Sequence, residues 1–289
     1  MAGRPVESVL RKGLRLSGGL ISRLKRRPEG ILVNGEKAYT TRVLAAGDVL
    51  SAEVGDPPDT PKAAPADLPL TVLWEDRDLL VLNKPAGITV HADSRRPDEV
   101  TLDNALSAYL PEGAFAHPVS RLDRGTTGII TYAKSGYAHE MLRRMLHTPD
   151  FLREYRGIAM GAPEPPAGTV TFPIGFAPGS RYQRAAQLPG QSVDRAVPAC
   201  TESETLSVIN GYALLRLIPR TGRTHQLRVH MAAIGHPLAG DWLYGGEPSP
   251  AIMRPALHSH SLRLVHPWTG ERIVLTAPLP EDMERLLRP

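Results

Sequence analysis

Two Asn-Gly pairs, Asn34-Gly35 and Asn210-Gly211, each interrupt an apolar run, and these constrain the fold more than any other feature of the chain. A two-residue strand reversal needs positive φ at both central positions, which Asn and Gly adopt at little cost. ILVNGEKAY and LSVINGYALLRLI therefore each predict a hairpin, and LRLVHPWTGERIVL predicts a third. TVLWEDRDLLVLNKP reads as two strands around the polar turn Glu75–Asp78, and GIITYA as another strand. Helical patterns stand between them. TLDNALSAYL has Thr101 or Asp103 as a cap. GYAHEMLRRML places Met141, Leu142, Met145 and Leu146 on one side. The predicted class is α+β: a mixed, largely antiparallel sheet with added helices, not alternating βαβ units. Pro178–Thr205 has no readable pattern.

DPPDTPKAAPADLP, residues 56–69, has no apolar periodicity and reads as a linker. It divides the chain into a small domain, 1–55, and a large one, 70–289, a division that 289 residues accommodate. The small part is basic. Residues 1–30 hold eight Lys or Arg against two Glu, a local +6 in a chain of net charge +4, so the remainder carries −2. Leu20, Ile21 and Leu24 share one helical face, with Arg23, Lys25, Arg26 and Arg27 mostly on the other and Gly30 ending the helix. A basic lobe on a near-neutral body implies a polyanionic partner.

Composition excludes several classes. The longest apolar runs, such as Leu79–Leu82, are too short to span a bilayer, so no membrane partner is expected. The single cysteine, Cys200, allows no disulfide within the chain and no cysteine-based zinc site, which fits a reducing, cytoplasmic setting. The basic N-terminus has no apolar signal segment, and a transit peptide is the weaker reading of it.

The chemistry concentrates in two stretches. In HPVSRLDRGTTGIITYAK, Asp123 lies between Arg121 and Arg124 on a loop before a strand. Flanking cations favour the ionised carboxylate, a competent nucleophile or base. Taken alone, such a run reads as a surface ion-pair cluster. The second stretch is TGRTHQLRVHMAAIGHPLAGDWLYGG. Leu227, Met231 and Ile234 form an apolar stripe, and His225 and Arg228 share the neighbouring face. A guanidinium at a core edge needs a carboxylate, and Asp123 is the expected partner in a two-pronged pair.

LSGGLISRLKRR, VNGE and LAAGDVL together resemble the alpha-L RNA-binding module of a ribosomal small-subunit protein and of tyrosyl-tRNA synthetases, over most of residues 5–54. That resemblance implies phosphate contacts from Arg23, Lys25, Arg26 and Arg27. Beyond the linker, NKPAGITVHAD (83–93), SRLDRGTTGIITYAK (120–134), REYRGIAMG (153–161) and TGRTHQLRVHMAAIGHPLAGDWLYG (221–245) resemble, in order, the motifs of the RluA family of pseudouridine synthases. The resemblance implies an RNA isomerase acting on specific uridines, with Asp123 as catalytic nucleophile or base. It implies Tyr155 stacked on the uracil, Arg228 paired with Asp123, and Arg121 helping to flip the base. It implies no cofactor and no metal, since no redox step occurs. It further implies a monomer acting on RNA, ribosomal large-subunit RNA before transfer RNA. The chain departs from the family's usual His at Ser120, Ser at Thr127 and Lys at Arg153; no reacting group is lost.

Competing readings are weaker. His225 and His230 lack the spacing of a helical zinc pair. Ser120, His117 and Asp123 stand too close in sequence for a triad, with no nucleophile elbow. Lys84-Pro85 with Gly87 reads equally as a plain turn or as support for the site. An inactive RNA-binding or ribosome-assembly factor would lose the acid, yet Asp123, Tyr155 and Arg228 are all present.

Overall fold

The computed structural model describes residues 2–56, 60, 62–92, 96–112, 114–246 and 251–288. Residues 57–59 and 61 of the expected linker lie outside these, as does Asp93 at the end of NKPAGITVHAD.

The N-terminal part consists of α1 (Val6–Lys12), α2 (Gly18–Leu24) and strands β1 (Ile31–Val33), β2 (Glu36–Lys37) and β3 (Leu50–Ala52). The strands form one antiparallel sheet in the order β2-β1-β3. Asn34 and Gly35 take φ of 57° and 81°, so this turn matches the twist of the flanking strands. Val6, Leu10, Leu20, Ile21, Leu24 and Val33 share a separate core. Ser17 caps α2 by accepting the Leu20 N–H at 3.1 Å. The helix stops at Leu24, not at the expected Gly30. Gly30 instead packs under the helix end, where a Cβ would stand 2.1 Å from the Leu24 carbonyl oxygen. Of the four basic residues, only Arg23 is therefore helical. Lys25 and Arg26 are exposed beyond it, while Arg27 turns back and donates to the carbonyls of Glu53 and Gly55 at 3.3 and 3.0 Å.

The rest of the chain builds on a ten-stranded sheet. Its first elements are β4 (Val72–Glu75), β5 (Leu79–Lys84), α3 (Leu102–Tyr109), β6 (His117–Pro118), β7 (Thr127–Ala133) and α4 (Gly136–Met145). Then come β8 (Phe151–Met160), β9 (Ala167–Val170), and β10 (Ile174–Phe176), β11 (Arg184–Ala186) and β12 (Asp194–Val197), which form a small sheet of their own. The chain continues through β13 (Thr201–Ile209), β14 (Tyr212–Pro219), α5 (Gln226–Ala233), β15 (Leu257–Val265), β16 (Arg272–Thr276) and α6 (Glu281–Leu286). The large sheet runs β4-β5-β7-β15-β8-β14-β13-β9, with β16 on β15 and β6 on β7.

Among the described residues, the named strand pairings are antiparallel except β7 with β15. The three predicted hairpins are β1–β2, β13–β14 and β15–β16. Period-two alternation puts Leu80 and Leu82 into one core with Leu102, Leu106 and Ile130, and Leu79 and Val81 into a second with Ile129, Ala133 and Leu142. Each such buried leucine stabilises by about 1.5–3 kcal/mol. Both faces of β7 are therefore covered, and every residue along it is buried, its threonines included. Asn104 rather than Asp103 completes the α3 start, its Oδ1 accepting from the Thr101 N–H and Oγ1 at 2.9 and 2.7 Å. Among the described residues no helix is long and apolar enough to cross a membrane.

Candidate active site

Asp123 sits in the tight turn that enters β7, its carbonyl accepting the Thr126 N–H at 3.0 Å. Three anchors fix that turn. The Gly87 N–H donates to Arg124 O at 2.9 Å. Arg254 Nη1 donates to Gly125 O at 3.1 Å. Lys84, 1 % exposed, gives its ammonium hydrogens to the carbonyls of Pro85, Ile88 and Arg124 at 2.8, 2.7 and 3.2 Å. Burial pulls the Lys84 ammonium down to about 8, with the Asp123 charge opposing. The two readings of Lys84 thus coincide: it closes a turn, and that turn ties β5 to the loop bearing Asp123.

Arg124 does not flank the carboxylate as expected. Its Nε donates to Gly87 O at 2.9 Å and its Nη1 pairs with Glu99 at 2.8 Å. Arg121 is exposed and has no ion pair among the described residues.

Arg228 rises from α5 with its side chain 9 % exposed. Its two-pronged partner is Asp241, not Asp123: Nε and Nη2 meet Asp241 Oδ2 and Oδ1 at 2.7 Å each. The remaining Nη1 reaches Asp123 Oδ2 at 3.3 Å. Burial opposes the Arg228 charge most strongly, but the bonds and charge of Asp241, then of Asp123, outweigh it and raise its pKa. Asp123 Oδ1 makes no hydrogen bond among the described residues, and the His225 Nε2 stands 3.9 Å from it.

His225 precedes α5 in the left-handed region, φ 58° and ψ 17°. A non-glycine residue there is held by its surroundings. The Tyr244 hydroxyl accepts the Arg184 N–H at 3.1 Å and lies 2.7 Å from His225 Nδ1. A Tyr244 hydroxyl that donates its hydrogen to Nδ1 leaves the neutral imidazole's proton on Nε2, facing Asp123. Burial, foremost, keeps the imidazole neutral by lowering its pKa.

Tyr155, on β8, is 5 % exposed. It shares a buried cluster with Leu122 and Leu227, the residues just before Asp123 and Arg228. The chain thus brings Asp123 and Arg228 into contact, while Tyr155 shares a cluster with their neighbours Leu122 and Leu227; Arg23 on α2 instead stands near His139, Arg143 and Arg144 of α4. Sequence reasoning missed Asp241 and the contact of Tyr244 with His225. The signal for Asp241 was present: a buried arginine demands a two-pronged acid, and this one stands thirteen residues on in the same motif.

Two further histidines, His230 and His258, are tied into the fold by buried hydrogen bonds. His230 bonds Thr201 Oγ1 and Phe172 O, each at 2.9 Å. His258 bonds Thr127 Oγ1 at 2.8 Å and Ala277 O at 3.2 Å.

The model of the RNA pseudouridylate synthase family matches residues 78–233, the span that holds Asp123, Tyr155 and Arg228. The chain belongs to this family. A "Ribosomal large subunit pseudouridine synthase D" from Yersinia pestis is 38 % identical, covering 89 % of this chain and 82 % of its own length. The "Uncharacterized RNA pseudouridine synthase YjbO" of Bacillus subtilis is 35 % identical over 95 % of both chains. Among solved structures, human RNA pseudouridylate synthase domain containing 4 superposes with a TM-score of 0.60 at 25 % identity, covering 74 % of this chain and 90 % of that one. The RluA resemblance therefore holds, and the chain is an RNA pseudouridine synthase.

Proposed function

We propose that this synthase isomerises uridines in ribosomal large-subunit RNA, with Asp123 as its catalytic carboxylate. The observation that carries the catalytic reading is the division of labour at Asp123. Arg228 Nη1 holds Oδ2 and leaves Oδ1 without a hydrogen-bond partner among the described residues. The ribosomal reading rests on the relatives named for the large subunit.

The isomerisation breaks the bond from the ribose anomeric carbon to N1, rotates the uracil and joins the carbon to C5. The C5 proton leaves and N1 gains one, so atoms balance without redox chemistry. The free oxygen of Asp123 begins either of two routes: covalent addition, or removal of the sugar C2′ proton to give a glycal. Tyr155 stacks on the detached base and holds it while it turns. Arg121 fills the gap left by the flipped nucleotide, offsetting part of an unstacking cost of a few kcal/mol. The His225 Nε2–H supplies a donor beside Oδ1 for an oxygen of the bound nucleotide. The N-terminal part, an alpha-L type module on this reading, contributes phosphate contacts through Arg23, Lys25 and Arg26.

The test is direct. Large-subunit ribosomal RNA transcript is incubated with the protein, digested to nucleosides and separated by chromatography. Wild type makes pseudouridine, and Asp123→Asn makes none while binding the RNA as tightly. Product from Asp123→Asn would remove the carboxylate from the chemistry. A wild type active on transfer RNA alone would overturn the ribosomal assignment.

A further inference from the structure

The two carboxylates on Arg228 come from turns far apart in the sequence, and Arg254 lies between those turns. It is 9 % exposed. Its Nη1 donates at 3.1 Å to the carbonyl of Gly125, two residues beyond Asp123. The two segments also pack closely: a Cβ on Gly125 would stand 3.0 Å from Pro255 Cδ and 3.4 Å from Arg254 Cβ. On the other side, a Cβ on Gly240, the residue before Asp241, would stand 2.4 Å from the Arg254 carbonyl oxygen. In the same stretch the Ala256 N–H donates to Ala239 O at 2.9 Å. One short segment thus touches both acid-bearing turns.

Arg254 is itself gripped by α6. Its Nε and Nη2 meet Asp282 Oδ2 and Oδ1, each at 2.7 Å. That fork leaves Nη1 to the carbonyls, which besides Gly125 O are Pro255 O at 3.1 Å and Leu257 O at 3.3 Å. A two-pronged pair fixes the guanidinium plane, and the plane aims Nη1. α6 is seated in turn by Met283 and Leu286, which share a buried cluster with Ile252 and Ala256 on either side of Arg254. A buried ion pair is weak evidence for stability alone. What distinguishes this one is the address of its third prong: Gly125 O adjoins Arg124 O, the carbonyl that Lys84 holds at 3.2 Å. Two buried cations therefore hold consecutive carbonyls of the turn that bears Asp123.

We propose that Arg254, oriented by Asp282, is a positioning residue for the reaction: it sets the turn of Asp123 against the turn of Asp241, so that both acids meet Arg228. The pair touches no reacting atom and acts through the placement of the Asp123 carboxylate. The proposal rests on the reading of Asp123 as the reacting group and extends that group's support to α6.

The experiment uses the full chain and three variants. Asp282→Asn keeps the shape and removes the charge; Arg254→Lys keeps the charge and removes the fork. Leu142→Ala lowers overall stability from another element, since Leu142 is fully buried on α4. Amide hydrogen exchange reads the turn without substrate. Both pair variants should speed exchange in residues 123–128 roughly tenfold, the worth of one lost hydrogen bond, and Leu142→Ala should not. Single-turnover pseudouridine formation on large-subunit ribosomal RNA transcript should fall roughly tenfold for Asp282→Asn and roughly a hundredfold for Arg254→Lys, with RNA affinity unchanged. The double variant should be no slower than Arg254→Lys, because Asp282 acts through Arg254. Unchanged exchange at 123–128 in both pair variants would overturn the proposal. So would an equal effect of Leu142→Ala, or a rate that falls only in step with RNA affinity. Exchange needs no turnover, so a wild type inert on ribosomal RNA would sink the ribosomal assignment and leave this test standing. Product from Asp123→Asn would instead remove the reading beneath both.

Discussion

At the residue scale, the decisive feature is one guanidinium shared by two carboxylates. Asp241 takes two of the Arg228 prongs, and Asp123 takes the third. Asp241→Ala should cost about 3–5 kcal/mol of stability, because the arginine then stays buried with only a single-pronged partner. It should also lower the catalytic rate about a hundredfold through misplacement of Arg228. Chemical denaturation and single-turnover pseudouridine assays check the two parts. Tyr244→Phe tests the tautomer. A hydroxyl hydrogen donated to His225 Nδ1, which lies 2.7 Å from the Tyr244 oxygen, opposes protonation there. Without it, the imidazole takes up its second proton at higher pH. The acid limb of the rate profile should therefore move toward neutrality, and an unmoved limb would mean His225 protonation does not govern the rate. Asp123, Tyr155 and Arg228 could be singled out as candidates because each is a reactive residue type within a recognisable motif. The Asp241 partnership and the Tyr244 hydrogen bond could not, because they depend on how one turn folds back on α5.

At the element scale, Gly128 permits the parallel seam between β7 and β15 in the large sheet. It takes φ of 101°, and a Cβ there would stand 2.2 Å from Ser259 O. Gly128→Ala should therefore force β7 and β15 apart and cost roughly 3 kcal/mol or more, read from a urea midpoint. A change below 1 kcal/mol, an order-of-magnitude limit, would mean the seam tolerates a side chain. The hairpins were readable because an Asn-Gly turn is a local signal: φ of 53° and 79° at Asn210 and Gly211 needs nothing from the rest of the chain. The small sheet of β10, β11 and β12 was not. Its strands have three or four residues, mostly half exposed, and its β10–β12 register is irregular. The end of α2 was misread for a related reason: Gly30 serves a close approach to Leu24, a contact that spacing does not display.

At the scale of the whole molecule, charge and protonation shape behaviour in solution. Burial lowers the pKa of His225 and His230 and pushes His258 down to about 4. The unfolded chain therefore binds more protons between 6.5 and these depressed values, and stability is lost as pH falls through that window. For His258 alone the displacement corresponds to roughly 3 kcal/mol. Melting temperatures should fall steeply from pH 6.5 to 4, and His258→Asn should flatten that slope even if it lowers stability at neutral pH. Replacing Arg23, Lys25 and Arg26 together by Gln should reduce the slope of log affinity against log salt by about two, if each meets one phosphate. An unchanged slope would refute a phosphate role for the N-terminal part. The sheet order also dictates a sequence of events in time. β7, which follows the turn bearing Asp123, and β8, which carries Tyr155, are both made before β15, yet β15 lies between them. The emerging chain therefore holds its acid and its aromatic long before it can seat them in register. Such distant pairing is slow to form. The chain thus gains its power to alter RNA only once residues 257–265 have been made and inserted between strands that precede them.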